Sequence, residues 1–248
     1  MDFSYTGIAY SLLFISLLFL NYRVFQYWQK SKDTISRLFL YFVVCLVFFV
    51  LLRAITGLFF ATNPQVLYVS VGLVAFTEGV MAALVAYLVI HLKFPRIIPW
   101  IGAVFFLILG VLITLAHYLV KNETLPFVDQ SGSINFNVGL DVQSGFLWYP
   151  LLRTFLLLFS FVALIFVNLR YFRVATDRYF KTRTLGLAIA LFLGVLIGVS
   201  DFLVISVIKA GAVYRDATIA VLSVVLFLVV YFTQKPRPLE KETLTLNQ

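Results

Sequence analysis

Residues 66–92 read VLYVSVGLVAFTEGVMAALVAYLVIHL, an apolar run interrupted by a single ionised side chain, Glu78. A helix needs about 20 predominantly apolar residues to cross the hydrocarbon core of a bilayer, and this stretch exceeds that. Extending outward from it, six further runs of the same kind cover about 6–27, 37–61, 97–120, 147–170, 184–209 and 214–233. The composition agrees: 62% of residues are hydrophobic and 12% charged, where an ordinary soluble domain carries about 25% charged residues. The reading is an all-α, polytopic bundle of seven transmembrane helices in one domain, 1–233, followed by a tail at 234–248. Its solvent is lipid, and there is no room left for a soluble catalytic or nucleic-acid-binding domain.

The connections between the runs alternate in charge. Arg23, Lys30, Lys32 and Arg37 follow the first run, and Lys93 and Arg96 the third. Arg170, Arg173, Arg178, Lys181 and Arg183 follow the fifth, and Lys235, Arg237 and Lys241 lie in the tail. Fourteen of the nineteen basic residues therefore fall on one side. The other side has Lys121, Lys209 and Arg215 against Asp2, Glu123, Asp129, Asp141 and Asp216. Basic loops stay in the cytoplasm, which predicts an N-terminus outside, a cytoplasmic C-terminus and an odd number of spans. The net charge of +8 is explained by this bias and by anionic headgroups, not by nucleic acid. An acid and no basic cluster precede the first run, so it reads as a retained span in the cell membrane, of a kind with a prokaryotic cytoplasmic membrane. Tyr27, Trp28, Trp100, Trp148 and Tyr149 stand at run ends, where amphipathic rings favour the headgroup level.

The one long connection, 121–146, is predicted to lie outside. In it Phe127-Val128 and residues 134–138 flank Asp129-Gln130-Ser131-Gly132-Ser133, two short apolar-alternating stretches around a turn, which reads as a β-hairpin. Asn122-Glu123-Thr124 matches a glycosylation sequon, a short and unspecific motif. Sliding the chain by 147 positions aligns Asn21–Leu40 with Asn168–Leu187, with Asn21/Asn168, Arg23/Arg170, Phe25/Phe172, Leu38/Leu185 and Leu40/Leu187 identical. Such a repeat suits a three-plus-one-plus-three design, in which the fourth helix lets two triplets run parallel.

Charged side chains at bilayer depth are costly and face cavities or partners. Four qualify: Arg53, Glu78, Arg153 and Asp201. At a rise of about 1.5 Å per residue, Arg53 and Asp201 each stand about 25 Å from the basic boundary. Arg153 stands about 9 Å and Glu78 about 18 Å from the opposite one. The small-residue ladder Gly186, Ala190, Gly194, Gly198 and the stripe Ala75, Gly79, Ala82-Ala83 turn Asp201 and Glu78 inward. The expectation is an outward-facing polar pocket for a small polar or anionic ligand. Arg53 and Asp201 would lie within hydrogen-bond reach, Arg153 would line the cavity, Glu78 would form its floor, and His117 would extend it. Read as packing instead, the same residues form two ion pairs, Arg53–Asp201 and Arg153–Glu78.

No phosphate-binding glycine loop, nucleophile elbow or metal motif occurs, His91 and His117 lie at opposite ends, and Cys45 is alone. The chain therefore reads as a non-enzyme, with no metal and no cofactor. The helix count resembles that of microbial rhodopsins in topology alone, because Thr218–Phe232 lacks the lysine a retinal Schiff base requires. Three functions fit: a sensor or receptor-like protein with a cytoplasmic partner on its basic face, a small-solute or ion transporter, and a non-catalytic subunit of a larger complex.

Overall fold

The computed structural model describes residues 3–94, 96–119, 125–136, 148–201, 204 and 210–235. These form seven helices: α1 (Tyr5–Ser31), α2 (Thr34–Phe59), α3 (Pro64–Lys93), α4 (Pro99–Leu119), α5 (Trp148–Val174), α6 (Arg178–Asp201) and α7 (Ala212–Thr233). Every one is long and apolar enough to cross a membrane, with mean hydropathy between 1.7 and 2.8 over the best window. That is the make-up of a multi-pass membrane protein. The sequon, residues 137–146, Lys209 and the tail beyond Lys235 lie outside the described residues, as do the side chains of Trp148, Tyr149 and Asp201.

Helix starts are set by capping side chains, which hydropathy does not register. The Ser4 hydroxyl accepts the Gly7 N–H at 3.0 Å, and the Asp33 carboxylate accepts the Ser36 N–H at 2.8 Å. Asn63 accepts from Gln65 and Val66, with Pro64 opening the helix. Each satisfies N–H groups that a first turn leaves without a partner. Asp177 does the same for Tyr179 at 3.0 Å. Helix α6 therefore begins at Arg178, ahead of the apolar run expected to open at 184, and Arg178, Lys181 and Arg183 are helical residues and not loop residues.

Between α4 and α5, β1 (Phe127–Val128) and β2 (Ile134–Asn135) pair antiparallel, Phe127 opposite Asn135 and Val128 opposite Ile134. The turn is closed by the Asp129 carboxylate, which accepts from the Ser131 and Ser133 N–H groups. Gly132 there takes the left-handed φ of +81°, which costs glycine least. The Tyr5 N–H donates to the Gly132 carbonyl at 3.1 Å, so this ribbon sits on the end of the bundle where α1 starts. We call that the ribbon end and the other, rich in Lys and Arg, the basic end.

The helices close a ring in the order α1, α2, α3, α5, α6, α7 and back to α1. Helix α4 stands outside the ring against α3, with a lesser contact to α5, and only 17% of its span is buried. Its seam with α3 passes through Gly79 and Gly110, where a methyl added to Gly79 would come within 2.5 Å of the Gly110 Cα. Exchanging α1-α2-α3 with α5-α6-α7 reproduces every adjacency in the ring.

The register of that exchange differs from the 147-residue shift read from sequence. Asp33 and Asp177 cap α2 and α6, and their carbonyls accept from Arg37 and Lys181, at 3.2 and 3.0 Å. These two aspartates are 144 positions apart, and a shift of 144 also superposes Tyr5/Tyr149, Leu12/Leu156, Leu13/Leu157, Ser16/Ser160, Leu20/Leu164 and Tyr27/Tyr171. A slip of three residues is nearly one turn, so the apolar faces coincide in either register, and the matched caps of α2 and α6 favour the shift of 144.

Candidate functional site

Two polar regions lie at opposite ends of the ring. At the ribbon end, each seam between the triplets is joined by a buried carboxylate on a third helix and a side chain from the first helix of the other triplet. On the α3–α5 seam, Arg153 donates from Nε and Nη2 to the two oxygens of Glu78, at 2.8 and 2.7 Å. Both residues are buried, and the bidentate geometry is what such a pair needs to offset its desolvation. On the α1–α7 seam the Thr6 hydroxyl donates to Asp216 Oδ2 at 2.6 Å. Arg215 donates to Asp216 Oδ1 at 2.7 Å and to the Ile134 carbonyl of the ribbon at 2.8 Å. The Ile134 N–H in turn donates to the Thr6 hydroxyl at 2.8 Å. Arg215 is fully buried, so it and Asp216 belong to the bundle interior and are not loop charges, as the sequence had suggested.

The other expected site residues are distributed around these seams. The Arg53 guanidinium lies 3.8 Å from the centroid of Phe136, the residue after β2, and Arg215 lies 5.4 Å from the same ring. Both distances fall within cation–π reach, so a ribbon phenylalanine is clamped between α2 and α7. His117 is buried on the α3–α4 seam, its Nε2 3.0 Å from the Tyr68 carbonyl and its ring stacked on Tyr68. The Tyr68 hydroxyl donates to the His117 carbonyl, and the Tyr118 hydroxyl to the Val69 carbonyl. The two long side chains bridge the height difference between Glu78 and Arg153, and Arg153 holds both oxygens of Glu78. The expected Arg53–Asp201 contact lies outside the described residues, since the Asp201 side chain is not among them.

At the basic end a cavity of about 250 Å³ opens within the ring, bounded by α1, α2, α3, α5 and α6. Four pairs of positions 144 residues apart contribute to its lining. Val24 and Asn168 both line it, as do Tyr27 and Tyr171. So do Ser36 with Phe180, and Phe39 with Arg183. The cavity therefore straddles the axis relating the two triplets. Among the described residues, the charged groups lining it are Asp33 and Arg183. Burial raises the Asp33 carboxyl, but hydrogen bonds from Ser31 and Ser36 outweigh it and hold the group below its usual value of 3.8. Arg183 stacks on Tyr27 of the other triplet, 3.9 Å from its centroid, and donates from Nε to Gln234 Oε1 at 3.1 Å.

Sequence reasoning missed this cavity because Arg183 was read as a topology charge and Asp33 was given no role. It missed Thr6, Arg215 and Asp216 because an acid next to a base at a run boundary reads as loop. One available signal was that Arg215-Asp216 falls inside the apolar run 214–233, where adjacent opposite charges neutralise each other. No protein-family model, curated protein or solved structure matches the chain.

Proposed function

We propose that the protein is a small-solute carrier of three-plus-one-plus-three design that works by rocking one helix triplet against the other. The observation that carries this reading is the cavity at the basic end, lined by four pairs of exchange-related residues. In carriers built from parallel repeats, the substrate site lies at the interface between the repeats, and alternating access is largely their relative motion. The ribbon end supplies the complementary element. Two seams closed by Glu78–Arg153 and Thr6–Asp216, with Phe136 clamped between arginines, make a gate that is shut while the basic end is hollow. Helix α4, outside the ring, is the linker that lets the second triplet run parallel to the first. By the distribution of basic residues the hollow end faces the cytoplasm. A receptor with a ribbon-end pocket fits less well, because Glu78, Arg153, Arg215 and Asp216 are bound to one another.

The test is counterflow in proteoliposomes containing the full chain, across a panel of sugars, amino acids and organic acids. Saturable exchange of at least one solute is expected. Oxidising a Thr6→Cys, Asp216→Cys pair in a Cys45→Ala background should abolish it, and reduction should restore it. Absence of saturable exchange for every solute, or exchange indifferent to the cross-link, overturns the carrier reading.

A further inference from the structure

The exchange-related pairs lining the cavity match in position but not in chemistry. Tyr27 and Tyr171 are identical, whereas Val24 corresponds to Asn168, Ser36 to Phe180 and Phe39 to Arg183. The shape is two-fold and the polarity is not. Among the described lining residues the first triplet contributes one carboxylate, Asp33, and the second one guanidinium, Arg183, while Leu88, Leu164 and Leu187 supply apolar wall. The lining charges cancel, so a ligand of either net charge would leave one protein charge without a partner in a half-buried site, which is unfavourable.

We infer that the cavity takes a small amphipathic zwitterion of the apolar α-amino-acid class, its ammonium towards Asp33, its carboxylate towards Arg183 and its side chain on the leucine wall. Asp33 is suited to this because hydrogen bonds already hold it ionised, and a carboxylate accepts more bonds than Ser36 provides. Arg183 uses Nε on Gln234, and a guanidinium has further N–H groups to donate. Size agrees as well. At about 30 Å³ per water-sized unit, a cavity of 250 Å³ holds roughly eight non-hydrogen atoms, the size of valine or leucine and too small for a peptide of such residues. This inference rests on the cavity being the carrier's substrate site.

The experiment is thermal unfolding of the purified full chain with L-leucine, leucinol, which lacks the carboxylate, and 4-methylpentanoate, which lacks the ammonium. L-Leucine should raise the midpoint in a concentration-dependent way, and neither half-molecule should do so at equal concentration. Asp33→Asn, which keeps a capping side chain, and Arg183→Gln should each weaken the leucine response by about tenfold or more, the effect of losing a charge-assisted bond. The analogue series on the unmodified chain carries the test even if a variant folds poorly. Equal stabilisation by leucinol or by 4-methylpentanoate overturns the zwitterion assignment, as does counterflow confined to sugars or simple anions. Stabilisation by leucine without leucine counterflow leaves the ligand class standing and removes the carrier reading.

Discussion

Glu78 and Arg153 illustrate what a buried charge requires in this bundle. Both are nearly inaccessible, and their two hydrogen bonds replace the hydration that each would lose. Removing one partner leaves the other buried and uncompensated, which typically costs about 3–5 kcal/mol. Glu78→Ala should therefore lower stability by about that amount, while Glu78→Leu with Arg153→Met should recover most of it. Unfolding of the parent, Glu78→Ala, the single variants Glu78→Leu and Arg153→Met and their double in mild detergent checks this, and strictly additive effects of the last two would contradict it. Asp33 makes a different contribution, because it lies between α1 and α2 and titrates. Its carboxyl is held below 3.8, so the folded state favours the ionised form. The resulting stabilisation is complete above the ordinary carboxylate range and is lost as pH falls through the lowered value. Acidification from about pH 5 to 3 should destabilise the unmodified chain more than Asp33→Asn, whose side chain caps without ionising. Unfolding midpoints recorded against pH compare the two.

Among the elements, α4 has the least burial, 17% of its span, and a close backbone approach to α3. Its hold on α3 depends on Gly79 and Gly110, which let the helices come together where any side chain would collide, as small residues do between helices in lipid. Around that point the Tyr68, His117 and Tyr118 bonds fasten the ribbon-end half of the seam. Gly79→Val should therefore separate α4 from α3 and cost about 1–3 kcal/mol, as overpacking does. The six-helix ring should survive, since it closes through α3 and α5 without α4. Spin-label distances across the α3–α4 seam and across the ring report the two outcomes separately. Gly211→Ala is the control: among the described residues a methyl there meets only Val213, at 4.0 Å, and stability should stay within about 0.5 kcal/mol of the parent.

For the whole molecule, the ribbon and the basic turns belong to opposite ends of the helices, and Ser131 and Lys30 are both exposed. In a Cys45→Ala background, a membrane-impermeant thiol reagent added outside intact cells should modify Ser131→Cys and spare Lys30→Cys. Permeabilisation should then expose the second. The reverse pattern would invert the orientation, leave the cavity facing outward and exchange the roles of the two ends.

The apolar runs, the helix count and the inward burial of Arg53, Glu78, Arg153 and His117 were legible in the sequence. Each follows from transfer free energy, which acts residue by residue: a span must be apolar, and a charge at depth must turn away from lipid. The Arg153–Glu78 pairing was legible too, as one of two readings of those charges. Helix adjacency was not, because in lipid every apolar face is equally well solvated and nothing local states which helix it meets. Only the packed ring placed α4 outside and matched the caps Asp33 and Asp177, 144 residues apart. Only the packed ring brought Arg215 under the ribbon, and set Asp33 and Arg183 around one cavity. Those contacts join residues far apart in the chain, and they are decided by which surfaces fit, a property of the assembled helices and of no single one.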